Sequence, residues 1–229
     1  MRAWLVVLLA VGFLGCQAPE EPLEVDLENT VHKRSYGIGV DIANMLEQQK
    51  IQIDPEIFIK GFQDQYVAKE AMMTPDDVNK MLANLQKEMA SQRQAEQKKL
   101  GEDNKKTGDV FLAQNKNKEG VQTLPSGLQY KAITTGTGPK PSAEDTVSVH
   151  YRGTLIDGTE FDSSYKRGEP ATFPLNGVIR GWTEGLQLMP VGSKWTLFVP
   201  SNLGYGPKGV PGIGPNSTLI FEVELLEIK

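Results

Sequence analysis

The sequence predicts an α+β fold: a helical N-terminal half, a long connecting helix, and a C-terminal antiparallel sheet wrapped around one short helix. Three observations carry this prediction. Apolar residues of the first half, Ile38, Ile42, Met45 and Leu46 and then Ile57, Phe58 and Phe62, recur at spacings of three and four, the period of a helix with one apolar face. From Val121 onward the period drops to two. Val147, Val149 and Tyr151 alternate with Ser148, His150 and Arg152, the mark of a half-buried strand. Between the two, residues 90–106 are almost all polar or charged, which suits a solvated helix bridging two domains. A length of 229 residues accommodates two domains of ordinary size.

The chain opens with Met1-Arg2, an apolar run from Ala3 to Leu14, and Gly15-Cys16. A basic start, a short apolar stretch and a small residue before the cut are the parts of a secretory signal peptide, residues 1–15. The run is too short to span a bilayer as a mature helix. Phe13-Leu14-Gly15-Cys16 resembles a bacterial lipobox, with Phe where Leu is usual. Cys16 is therefore the expected lipidation site and membrane anchor, a plain signal peptide or an uncleaved anchor being the alternatives. It is the chain's one cysteine, so no disulfide contributes to stability. Residues 16–30, rich in Pro and Glu, read as a flexible tether.

Residues 31–73 follow as a small helical domain. Asp54-Pro55 supplies an N-cap and a proline at the first helical position. Thr74-Pro75-Asp76-Asp77 marks a second start, with the aspartates at the positive end of the helix dipole. The connecting helix it opens, within residues 74–120, carries the stripe Val78, Met81, Leu82, Leu85 and Met89 and then turns polar. Gly101 and Gly108, each unfavourable by about 1 kcal/mol inside a helix, are expected bending points. Val110-Phe111-Leu112 offers a small docking patch.

Residues 121–229 form the sheet domain. Trp195, Leu197 and Val199 alternate with Lys194 and Thr196, and Asp157-Gly158 between two strand-like runs is a hairpin turn. Residues 218–228 are long and apolar enough for a central strand. Residues 178–188 alone read as helix.

Composition removes several functions. A net charge of −5 and a pI near 5.2 leave no basic field for the phosphates of a nucleic acid. With two histidines, His32 and His150, and no serine elbow, paired-cysteine motif or phosphate loop, a triad, a zinc site and a nucleotide site all lack parts. No metal or cofactor is expected, and His150 reads as a surface residue. Ten of the seventeen aromatic residues lie between Tyr130 and Phe221; a packed core and a shared aromatic cavity both account for them.

The order of Val149-His150-Tyr151-Arg152-Gly153, Phe161-Asp162-Ser163-Ser164, Val178-Ile179-Arg180-Gly181-Trp182, Tyr205-Gly206 and Leu219-Ile220-Phe221 resembles that of FKBP-type prolyl isomerases, from about Leu124 to Lys229. Tyr36-Gly37-Ile38-Gly39 and Phe62-Gln63-Asp64 resemble the dimerising N-terminal domain of Mip-like and FkpA-like bacterial lipoproteins. The resemblance implies a homodimer formed through the N-terminal domain, proline-containing polypeptides as substrates and macrolides as inhibitors. It also implies an exported, periplasmic or cell-surface location. Gln17 after the cysteine favours the outer over the inner membrane.

Such an enzyme needs few polar groups. About 18–20 kcal/mol opposes rotation of a peptide bond, and an Xaa-Pro bond turns over unaided in tens to hundreds of seconds. Lowering the barrier by about 5 kcal/mol gains nearly four powers of ten. As the bond twists, the carbonyl loses polarity, so a dry aromatic cavity holds the twisted form better than water does. By resemblance, Trp182 is the floor under the proline ring, and Tyr151, Phe161, Val178, Ile179 and Phe221 are walls, with Phe173 a further substrate-binding residue. The Tyr205 hydroxyl and the Ile179 N–H bind substrate carbonyls, Asp162 orients the twisting amide, and Ile213 reaches in from the Gly/Pro-rich flap 207–214. Ala171 stands where the family has a wall aromatic, which implies a wider pocket. Asp162 has a structural alternative, tied to Tyr151 or Arg180. For the whole protein the alternative is a chaperone whose first half, with Met45, Met72, Met73, Met81 and Met89, holds unfolded chains.

Overall fold

A computed structural model describes residues 24–229. The expected leader, Cys16 and the start of the tether lie outside the described residues. The chain divides into two compact units, one ending at Pro75 and the other running Asp76–Lys229.

The first unit is helical. Helix α1 (Thr30–Gln48) is capped by Asn29, whose side chain accepts from the N–H groups of Val31 and His32. Helix α2 (Pro55–Gln63) is capped by Asp54, which accepts from Glu56 and Ile57, with Pro55 at its first position as the sequence predicts. One π-helical turn, Asp64–Ala68, follows. No residue of these three elements is buried. The apolar stripes that make the helices legible are thus left open: Ile57, Phe62 and Ile38 are 65%, 56% and 54% exposed.

In the second unit, helix α3 (Pro75–Asn115) runs 41 residues as one α-helix, continuous through Gly101 and Gly108. The reason is packing. Residues 91–100 are exposed, as a solvated bridge should be, but Gly101, Gly108 and Asn115 are buried. A Cβ on Gly108 would lie 2.3 Å from Thr218 Oγ1, and one on Gly101 would lie 3.3 Å from Pro215 Cβ. The glycines are there for close approach, and the lost propensity is offset by contact. The Phe111 ring lies 6.0 Å from Phe198. Asn115 donates to Gln129 at 3.0 Å, and Gln129 donates to the Leu112 carbonyl at 2.9 Å. The solvated stretch expected over residues 90–106 therefore ends at Leu100, and Phe111 docks as the sequence suggests.

Among the described residues, seven strands form one antiparallel sheet: β1 (Val121–Thr123), β2 (Gln129–Thr134), β3 (Thr146–Leu155), β4 (Glu160–Ser163), β5 (Ala171–Pro174), β6 (Lys194–Val199) and β7 (Leu219–Ile228). Their order is β1-β2-β6-β7-β3-β4, with β5 also on β3. Strand β7 is central, as its apolar run predicts. Strand β3 pairs with β4 through Arg152–Thr154 and with β5 through Thr146–Val149. The edge is therefore broken, and the break holds a one-turn helix, α4 (Ser164–Arg167), which the sequence reading missed. Gly158, at φ +87, turns the β3–β4 hairpin. Helix α5 (Arg180–Leu186) lies on the sheet with Gly181 and Gly185 against Val199 and Leu197. Alternate residues of β3, β6 and β7 bury Val147, Val149, Leu197, Val199, Val223 and Leu225 completely, so the core lies between α5 and the sheet.

Candidate active site

Tyr151 on β3, Phe161 and Asp162 on β4, Phe173 on β5, Trp182 on α5, Phe221 on β7 and Val178 and Ile179 before α5 converge on one cavity of about 410 Å³. Tyr205 and Ile213 join them from the loops after β6. All ten residues singled out in the sequence share this space. Gly177, Val210 and Pro211 line it too; the last two belong to the flap. Ala171 does not line it.

Trp182 lies at the centre of the aromatic set. It meets Tyr151 at 5.1 Å, Phe221 at 5.2 Å and Phe173 at 5.7 Å between ring centroids, with interplanar angles of 87°, 78° and 87°. Edges meet faces throughout, the arrangement that ring quadrupoles favour. Three perpendicular neighbours fix the indole, and it is 4% exposed. Its Nε1 is buried and without a hydrogen-bond partner among the described residues, as is that of Trp195 outside the cavity, each at a cost of about 1–3 kcal/mol. The cavity is not sealed, because Tyr205 and Val210 at its rim are 39% and 40% exposed.

The polar groups gather on one wall. The Tyr151 hydroxyl donates to Asp162 Oδ2. Arg167 on α4 donates to Asp162 Oδ1 at 2.6 Å and to the Tyr151 hydroxyl at 2.9 Å. Burial pulls the Asp162 carboxyl up, but the hydrogen bonds from Tyr151 and Arg167 outweigh it and hold the group below the usual carboxylate value. Burial and the bond to Asp162 push the Tyr151 phenol up. Burial, with the negative field of Asp162, does the same to Tyr205. At neutral pH the wall thus holds an ionised carboxylate and two neutral phenols, and no group is poised as a general base. The tie to Tyr151 was foreseen, but the cation is Arg167; Arg180 instead donates to the Asn202 carbonyl. Sequence alone gave no signal for Arg167, since the contact exists only through α4. His150 stacks on Tyr165 at 4.8 Å, with Nδ1 3.0 Å from Ser164 Oγ, away from the cavity wall.

Comparison with known proteins gives this cavity its context. A model of the FKBP-type peptidyl-prolyl cis-trans isomerase domain matches residues 138–226, and one of the domain amino terminal to FKBP-type peptidyl-prolyl isomerase matches residues 31–132. The chain is 46% identical to the outer membrane protein MIP of Legionella longbeachae, over 100% of this chain and 99% of that one. The chain belongs to the FKBP-type peptidyl-prolyl cis-trans isomerases. It is 43% identical to the peptidyl-prolyl cis-trans isomerase Mip of Coxiella burnetii, again over 100% and 99% of the two chains. The crystal structure of FkpA from Escherichia coli matches with a TM-score of 0.76 at 41% identity, covering 88% of this chain and 98% of that one. Membership in the FKBP-type family makes the protein a peptidyl-prolyl cis-trans isomerase.

Proposed function

We propose that the isomerase accelerates folding of exported proteins by holding the twisted Xaa-Pro amide in the cavity around Trp182. The observation that carries this is the perpendicular packing of Tyr151, Phe173 and Phe221 about one indole in a space of about 410 Å³ that opens to solvent. The proline ring lies on Trp182, with Phe161, Val178, Phe221 and the flap residue Ile213 around it. The Ile179 N–H, at an N-cap and so without a partner in its own helix, and the Tyr205 hydroxyl bind substrate carbonyls. Asp162, fixed by Tyr151 and Arg167, is an oriented dipole beside the amide. Macrolide inhibitors of the family occupy the same space. Isomerisation of proline tetrapeptides by the wild type and by Trp182→Leu, Asp162→Ala and Tyr205→Phe tests the reading; full activity in all three variants would remove it.

The protein is a lipoprotein anchored through Cys16 after removal of a signal peptide (residues 1–15), placed in the periplasm or at the cell surface, with the outer membrane favoured. The likeness to the outer membrane protein MIP of Legionella longbeachae supports the outer-membrane placement. Mass spectrometry of the membrane fraction with and without Cys16→Ser tests it.

A homodimer through residues 31–73 is supported by the exposed stripes of α1 and α2, and by Gly37, Gly39 and Gly61, at which an added Cβ would meet nothing within 4 Å. Small residues facing open space fit close approach by a second chain. The same exposed surface favours an accessory chaperone activity, tested by aggregation assays with residues 17–120 alone.

A further inference from the structure

The flap is held by a part of the chain that the chemistry does not require. Its neck closes where the Asn216 N–H donates to the Gly206 carbonyl at 2.8 Å. Within it Val210 and Ile213 exchange two backbone hydrogen bonds of 2.9 and 2.8 Å, with Gly209 and Gly212 at positive φ. This hairpin brings Val210, Pro211 and Ile213 to the cavity. A glycine-rich loop held only by hydrogen bonds within itself is soft.

Helix α3 supplies the missing support. Asn104 Nδ2 donates to the Pro215 carbonyl at 2.9 Å and reaches Ser217 Oγ at 3.5 Å. In return Asn216, itself at φ +54, donates from its side chain to the Gly101 carbonyl at 3.2 Å. Ser217 Oγ also donates to the Gly214 carbonyl at 2.9 Å. Gly101 and Pro215 are buried at this seam. Two side-chain bonds of opposite direction therefore clamp the segment that follows the flap onto a rigid helix.

We propose that Asn104 is a positioning residue of the isomerase, which fixes the flap over the bound peptide so that the flap's apolar residues hold a bulky apolar residue before proline. The flap's cavity-facing residues are apolar, and they add affinity only if the loop is already in place when the peptide arrives; an unclamped loop loses that gain to its own ordering. The inference rests on the cavity being the substrate site.

The test uses the full chain with Asn104→Asp, which keeps the size but sets a carboxylate against the Pro215 carbonyl. Asn104→Ala is the second variant, and Asp103→Asn on the exposed face of α3 is the control. Amide exchange at Val210, Ile213 and Asn216 should rise about three- to tenfold in both variants, the effect of one lost hydrogen bond, while β3, β6 and β7 keep their protection. KM for Leu-Pro peptides should rise by the same factor with kcat within about twofold, and KM for Ala-Pro peptides should stay constant. Unchanged flap exchange, or an equal KM rise for every peptide, overturns the proposal. Failure of the underlying site reading has a different signature: Trp182→Leu would then retain activity whatever the flap does.

Discussion

The indole of Trp182 stands at 87° to the ring of Tyr151, their centroids 5.1 Å apart, so that the floor of the cavity and its hydrogen-bonded wall brace each other. Tyr151 then passes the constraint to Asp162 and Arg167 through its hydroxyl. Apolar and polar parts of the site are one packed object, and changes to either should be felt in the other.

Trp182→Leu removes the floor and three edge-to-face contacts. Isomerisation of a proline tetrapeptide should fall at least tenfold in kcat/KM, about 1.4 kcal/mol or more in transition-state stabilisation. Stability should fall by about 2–4 kcal/mol from the cavity left behind. Denaturant unfolding separates the two effects, since the variant should remain folded at low denaturant.

Arg167→Met takes away the cation that helps hold the Asp162 carboxyl low. In the wild type, kcat/KM should be flat from about pH 5 to 9, because Asp162 titrates below this window and the raised phenols of Tyr151 and Tyr205 titrate above it. In the variant the acid limb should move to higher pH. A pH profile identical to the wild type would show that Arg167 does not govern the carboxylate.

Stability should depend on pH with opposite signs at the two ends. Asp162 has a lower value in the fold than when unfolded, so its contribution is intact above about pH 4 and disappears as pH falls through the folded value. Tyr151 has a raised value, so its contribution is intact below about pH 10 and disappears as pH rises through the folded one. The Asp162–Arg167 pair is half exposed, with side-chain accessibilities of 43% and 45%, so its share should stay below about 1 kcal/mol. Urea midpoints across pH, with a smaller alkaline limb in Tyr151→Phe because the raised phenol of Tyr205 remains, check this.

Gly108→Leu pits helix propensity against the seam. Propensity alone predicts a gain of up to about 1 kcal/mol. The seam predicts a loss of about 1–3 kcal/mol, because the new side chain would meet Thr218. Thermal unfolding should give the second sign, with far-UV helicity unchanged.

Residues 98–229 should form a more stable fragment than residues 121–229. The shorter one uncovers Phe198 and leaves Gln129 without Asn115 and the Leu112 carbonyl. The melting temperature should differ by several degrees, on the order of 1–2 kcal/mol.

What the sequence by itself determined is whatever depends on period and on caps. Alternation at 147–151 and 195–199 located two strands because one face of a sheet is buried and successive side chains point to opposite faces. Asp54-Pro55 located the start of α2 because orphan N–H groups need an acceptor. The ten cavity residues were legible only as a set of motifs in order, since nothing in local pattern separates a wall aromatic from a core one. Tertiary structure alone decided the rest. Apart from Phe111, whose docking the sequence suggests, the seam of α3 consists of Gly101, Asn104, Gly108 and Asn115, residues at helical spacing but without hydrophobicity, so a reading based on burial of apolar surface passes over them. Arg167 reaches Asp162 because β3 pairs first with β5 and then with β4, leaving a gap where α4 turns. Contacts of this kind depend on which backbones lie side by side, and a one-dimensional pattern of polarity does not carry that distance.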